Sequence, residues 1–244
     1  NSDVSTNIKD KVVSTLEVEN EEQITGQVKP VLAEELRVRG LAAFASQNRA
    51  VTKDDYISLI YRMPSKFGAV KRANVVRDND SFKRNLNIFA VSEDKNGFLV
   101  STPSTVKENL KTWLNHYRVM NDTIDIIDGK VVNIGIEFSL ISKTEANTTD
   151  VLNKAILAIK KRFENKLLMG TPFYISEIYK LLNDITEVVD TKTVKIVNKF
   201  GTAYSDTSYD IESNISADGR FVFVPENTVL ELRYPDVDIV GVVI

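Results

Sequence analysis

The chain contains no cysteine. That excludes a disulfide framework, a thiolate zinc site and a cysteine nucleophile, and it leaves the redox compartment unread. Histidine occurs once, as His116, and there are only ten glycines in 244 residues. No G-x-x-x-x-G-K-[ST], G-x-G-x-x-G or G-x-S-x-G pattern occurs, so neither a phosphate loop, a dinucleotide fingerprint nor a nucleophile elbow can be read. No stretch approaches the roughly eighteen consecutive apolar residues of a membrane-spanning helix. A dominant charge is missing too: 31 Lys and Arg stand against 34 Asp and Glu, a net charge of −3. Such a balance provides no global attraction for nucleic acid or for an anionic membrane.

What is present is an ordinary globular composition, 43% hydrophobic and 27% charged, sufficient to bury a real core. The length suits one large domain or two to three small ones. The chain opens on Asn1 without a signal-peptide pattern, and the polar, strand-like text of its first 29 residues reads as the end of something longer.

Residues 9–19 alternate enough to suggest a strand, and Pro30 suits the first position of a helix running to about Gln47. Gly40 inside that helix suggests close packing against another backbone. Thr52 and Asp55 have the spacing of a capping box for a second, short helix, whose Tyr56, Leu59 and Ile60 share a face. Pro64 and Gly68 end it. Strands are expected at 69–76 and 86–92, with Asn96-Gly97 as a hairpin turn into Phe98–Val100. Thr105 and Glu108 form a second capping-box pattern, opening a helix that carries Val106, Leu110, Trp113, Leu114 and Tyr117. Thr123–Ile127 and Val131–Ile141 read as a hairpin turned at Asp128-Gly129. A long helix, capped by Thr149 or Asp150, places Leu152, Ala155, Ile156, Ile159 and Phe163 inward and Lys154, Lys160, Lys161 and Glu164 outward. A short helix from Ser176 and strands at 188–200, 220–224, 229–234 and 239–244 complete the chain, with Asp218-Gly219 as a further turn. The fold class is α+β and multi-domain: antiparallel hairpins with amphipathic helices packed on them and a β-rich C-terminal tail. Four segments are expected: a strand and lead-in helix at 1–47, a helix, hairpin and helix unit at 48–128, an α/β sandwich at 129–201, and a small β domain or tail at 202–244. Strands, helix and strand occur twice in loose order, without an exact repeat.

The residues give no chemistry a focus. His116 sits late in its helix, where a cation is favoured electrostatically, and no nucleophile or orienting partner stands at a readable spacing. Asp78 and Asp80 begin a D-x-D, but Phe82 and Lys83 stand where a calcium loop needs an oxygen ligand and a glycine. Asp122, Asp125 and Asp128 would be separated by the pleat of a strand and read as turn and cap residues. The basic residues from Lys66 to Arg77, and Lys160, Lys161 and Arg162, allow a nucleic-acid surface beside Phe67 and Phe163, but the acidic net balance favours a solvated helix face and a polar strand edge, and a surface for a partner protein explains the same charges. Three function classes stay open at this point: an assembly protein, a nucleic-acid-binding module using Lys66–Arg77, and a hydrolase with dispersed carboxylates.

One stretch is less generic. Arg49-Ala50-Val51-Thr52 followed by Asp55-Tyr56 ("RAVT..DY"), then an apolar helix, a Pro/Gly loop and "AVKRA" at 69–73, resembles the baseplate J-like family of contractile-tailed phages. The helix to Tyr117 that leads into "RVMNDTIDI", the strand from Val131, the long helix to Phe163, Gly170 and the strand from Val188 follow that family's order over roughly residues 30–200. Thr202–Ile244 departs from shorter members. The resemblance implies a structural protein of the virion tail baseplate, assembled in the host cytoplasm, that self-associates as a homodimer within a ring and joins other baseplate wedge proteins around the tail hub. It implies no catalytic residue, cofactor or metal, and no nucleic-acid, membrane or small-molecule partner. Arg49, Lys66, Lys71 and Arg72 are the candidate partner contacts, with intramolecular pairing as their alternative.

Overall fold

A computed structural model describes residues 33–45, 49–78, 85–163 and 167–244. The strand expected at 9–19, the helix start at Pro30, the D-x-D residues Asp80, Phe82 and Lys83, and Glu164 lie outside these. The helices are α1 (Ala33–Ala45), α2 (Lys53–Tyr61), α3 (Ser104–Asn115), α4 (Thr148–Phe163), α5 (Ile175–Asn183) and α6 (Pro235–Asp238). The strands are β1 (Arg72–Arg77), β2 (Asn85–Glu93), β3 (Leu99–Ser101), β4 (Thr123–Asp128), β5 (Lys130–Ser142), β6 (Phe173–Tyr174), β7 (Val188–Lys199), β8 (Phe221–Val222), β9 (Thr228–Glu231) and β10 (Ile239–Val243). The class is α+β, with mixed rather than purely antiparallel sheets.

Two four-stranded sheets share one design. In the first, β2 lies at the centre with β1 antiparallel on one side. Its other side is shared end to end, with β4 parallel beside Asn85–Ala90 and β3 antiparallel beside Val91–Glu93. In the second, β5 is central, β7 runs antiparallel along one side, and β9 and β10 lie parallel in succession along the other. The loose doubling in the sequence corresponds to this repeated layout. Residues 202–244, expected as a small β domain or tail, contribute β9 and β10 to the sheet that β5 centres.

Each sheet is covered by helices. Tyr56, Leu59 and Ile60 of α2 and Val106, Leu110 and Leu114 of α3 pack with Val75, Ile88 and Ala90 of the first sheet. Val151, Ala155, Ile159 and Phe163 of α4, with Ile178 and Leu182 of α5, cover Ile134, Ile136, Phe138 and Leu140 of β5. The 3–4 spacing of these helical residues meets the two-residue period of the strand residues, which is how an amphipathic helix covers one sheet face.

Several sequence expectations need correction. β4 and β5 do not form a hairpin: β4 pairs with β2, β5 pairs with β7, β9 and β10, and Gly129 lies between the sheets without a left-handed φ. The burial pattern explains this. In β4 Ile124 is buried between exposed Thr123 and Asp125, the alternation of a strand with one wet face, whereas Val131–Ile136 is buried on both faces and needs the middle of a covered sheet. The Thr105–Glu108 box is not formed, because α3 starts earlier, after Pro103, and has no side-chain cap. Thr105 is then inside the helix. Asn147, not Thr149 or Asp150, caps α4, its Oδ1 accepting the Thr149 amide at 3.0 Å. Among the described residues, nothing beyond its own helix lies within 4 Å of where a Cβ on Gly40 would stand, so no close packing against another backbone is found there.

Gly129 does. A Cβ there would lie 2.5 Å from Met169 Cε and 2.6 Å from Val91 Cγ2. Gly129→Ala is therefore expected to destabilise by about 1–3 kcal/mol through overpacking, and Gly40→Ala to stabilise by up to about 1 kcal/mol in an exposed helix. Urea unfolding of the two variants checks the contrast. Equal midpoints would contradict it.

Candidate interaction site

The residues behind the resemblance come together as one interlocked unit. Thr52 is the N-cap of α2: its Oγ1 accepts the Asp55 amide at 3.2 Å, while Asp55 Oδ2 accepts the Thr52 amide at 2.9 Å and the Val51 amide at 3.1 Å. Burial alone would raise the Asp55 pKa, but these hydrogen bonds and the nearby Arg49 charge outweigh it and hold the carboxyl below its ordinary 3.8. One residue on, the Tyr56 hydroxyl donates to Asp122 Oδ2 at 2.9 Å across 66 residues of chain. Burial first, then this carboxylate, push the phenol above its ordinary pKa. The Ala50 amide donates to the Tyr117 carbonyl at 2.9 Å, and Trp113 Nε1 donates to the Leu59 carbonyl, also at 2.9 Å. Arg118 closes the turn by donating to Asn115 Oδ1 and to the Asp122 carbonyl. "RAVT..DY" and "RVMNDTIDI" are thus two halves of a joint that fastens α2 to the end of α3 and the start of β4.

The four candidate contacts fall into two pairs. Arg49 and Lys66 are exposed, Lys66 with its ammonium 4.8 Å from the Phe67 ring centre. Lys71 and Arg72 are only 8% and 3% exposed and have partners within the chain, in keeping with the intramolecular pairing that was their alternative. Lys71 Nζ stands 3.3 Å from Glu93 Oε2. Arg72 donates through Nε to the Leu167 carbonyl at 2.8 Å and meets Glu35 of α1 at 3.5 Å. Buried cations need such partners, because an uncompensated charge in the interior is costly. The Lys66–Arg77 region therefore keeps only its outer members, Lys66 and Arg77, on the surface.

The carboxylates also have separate duties. Asp122 takes Tyr56, Asp125 accepts Asn85 Nδ2 at 2.9 Å, and Asp128 pairs with Lys107 at 3.0 Å. His116 caps the end of α3 with Nδ1 2.7 Å from the Thr112 carbonyl oxygen. Among the described residues no group of three or more His, Asp or Glu could hold a metal ion, and no helix is long and apolar enough to cross a membrane.

Sequence reasoning missed the polar link between the sheets. Glu231 of β9 accepts the Leu99 amide of β3 at 2.8 Å and Asn133 Nδ2 of β5 at 2.7 Å. The Asn133 Oδ1 accepts the Ser205 amide at 2.6 Å. An asparagine inside the apolar run from Val131 was the available signal, since a polar side chain there must find buried partners.

No family model matches the chain, and no curated protein matches it. Among solved structures it is similar to a chain of the cryo-EM structure of the anti-feeding prophage (AFP) baseplate, with 12% sequence identity and a TM-score of 0.48. The similarity covers 83% of this chain and 42% of that chain, so the sequence spans less than half of its neighbour's length.

The cap has a titratable consequence. A carboxyl whose folded pKa lies below its unfolded value contributes stability that is complete above the unfolded value and is lost as pH falls through the folded one. Asp55 should therefore add to acid sensitivity below about pH 4, and Asp55→Asn should flatten that limb of the stability–pH curve. Thr52→Ala should cost about 1 kcal/mol at neutral pH. Unfolding free energies at pH 3 to 7 measure both, and an unchanged acid limb in Asp55→Asn would count against the cap's role.

Proposed function

We propose that the chain is a structural, non-enzymatic component of a contractile-tail baseplate. In this reading it is a wedge protein resembling the carboxy-terminal part of the large baseplate wedge protein of T-even phages. It self-associates and joins other wedge proteins into the ring around the tail hub. The observation that carries the reading is the joint just described: the residues that resemble the family are spent on holding helices and strands together. Tyr56, Asp122, Thr52 and Asp55 all have internal partners that account for them, which is how a signature behaves when it preserves a scaffold.

Exposed apolar side chains supply the means of association. Leu36, Val38, Leu41 and Phe44 of α1 are exposed, Phe44 at 88%. The edge strand β10, Ile239-Val-Gly-Val-Val243, carries no charge and exposes Val240 and Val242. Uncharged edges and clustered apolar surface are features that assemblies bury. The nucleic-acid alternative is weakened by the burial of Lys71 and Arg72, the two central cations of its basic region.

Light scattering should give a dimer or larger species at high protein concentration, shifting towards monomer in Phe44→Asp with the melting temperature unchanged. Co-expression with wedge neighbours, followed by particle imaging, should give ring or ring-segment particles. A strict monomer that retains no neighbour would overturn the reading. Retention on DNA that falls steeply with salt would favour the alternative instead.

A further inference from the structure

A cavity of about 140 Å³ lies where the two sheets meet, between β2, β3, α4 and the segment following β9. Its lining includes four cationic side chains, Lys71, Arg72, Lys160 and Arg233, against two carboxylates, Glu93 and Glu231. Both carboxylates are already committed. Glu231 accepts Leu99 N through Oε1 and Asn133 Nδ2 through Oε2, and Glu93 faces Lys71. Three of the four cations have a carboxylate partner, Lys71 with Glu93, Arg72 with Glu35 and Lys160 with Asp236, which leaves Arg233 as the cation of this lining without one among the described residues.

Arg233 is the distinctive member. Its guanidinium lies 4.6 Å from the centre of the Phe98 ring and 5.9 Å from that of Tyr234. Its Nε is buried and has no hydrogen-bond partner among the described residues. Among the described residues it forms no ion pair with a carboxylate. Aromatic faces hold a guanidinium in place without using its N–H groups, which leaves the planar fork free to receive an anion. Phe98 is in turn braced edge-on by Tyr234, with ring centres 5.2 Å apart, and Tyr234 by Tyr204 at 5.5 Å. Tyr204 is fixed by its hydrogen bond to buried Asp238 at 2.6 Å. That bond, followed by burial, pushes the Tyr204 phenol up to about 12, so the brace stays protonated at neutral pH. Lys160 completes the lining, its ammonium shared with exposed Asp236 at 2.8 Å. Deeper in, burial pushes the Lys71 ammonium below its ordinary pKa despite Glu93, a cost that a bound anion would offset.

We infer that this cavity binds a small oxyanion, a phosphate or a carboxylate, through the Arg233 guanidinium, with Lys160 as the second donor. Its source is either a free ion or an acidic side chain of another protein. The inference is independent of the baseplate reading, and failure of either leaves the other standing.

The test is thermal unfolding and calorimetry of the whole chain with sodium phosphate or a capped tri-glutamate peptide, each against sodium chloride at equal ionic strength. A saturable rise in melting temperature above the chloride control is expected in at least one arm, and the arm that responds identifies the source. Arg233→Gln should weaken the apparent Kd by about tenfold or more, as loss of a charge-assisted hydrogen bond predicts. Lys160→Gln, at an exposed position, should weaken it by a smaller factor and serves as the test variant if Arg233→Gln does not fold. Absence of a saturable effect in both arms would overturn the inference. So would unchanged affinity in whichever of the two variants folds.

Discussion

The architecture turns on one point where the chain has no spare room. At Gly129 the backbone leaves the first sheet and enters the second within a single residue. Its amide donates to the Ala90 carbonyl of β2 at 3.0 Å, and the next amide, of Lys130, donates to the Asn227 carbonyl at 2.8 Å. Val91, Val131, Met169 and Val229 close over that point as a small core of their own. A strand that must be central and covered on both faces therefore begins directly beside a strand with one wet face, and the two sheets are held at the distance this permits. The polar link through Glu231 and Asn133 and the ion pair of Lys71 with Glu93 lie along the same seam, where removal of one partner would leave a buried group uncompensated.

With the sheets held at this seam, the family-like residues do local work on the other side of the first sheet. Tyr56 ties α2 to Asp122, Trp113 ties α3 to the end of α2, and the Ala50 amide ties the lead-in to Tyr117. Outside the joint, Leu36, Val38, Leu41 and Phe44 of α1, Val240 and Val242 of β10, and the cations Arg49 and Lys66 are exposed.

Local features were legible in the sequence where a single turn of chain decides them. The Thr52–Asp55 box, the buried face of α2, the Asn96-Gly97 turn (φ 81° at Gly97) and the periodicity of α3, α4 and α5 are all as read. What failed depends on partners distant in the chain. Asp128-Gly129 has the composition of a hairpin turn, but the strands on either side find better-matched neighbours 38 to 103 residues away in the chain. For Lys71 and Arg72 the choice between partner contact and intramolecular pairing stayed open in the sequence, because nothing in a one-dimensional pattern announces Glu93, Glu35 or the Leu167 carbonyl as their partners. The cavity around Arg233 was illegible for the same reason: it is assembled from four separate stretches of chain.

The central claim is that the signature is a joint and that its two halves act together. A double-mutant cycle on Tyr56→Phe and Asp122→Asn, read by urea unfolding, tests it most directly. The account predicts a coupling energy of about 0.5–3 kcal/mol, the range for residues in direct contact. Strictly additive effects of the two substitutions would contradict it.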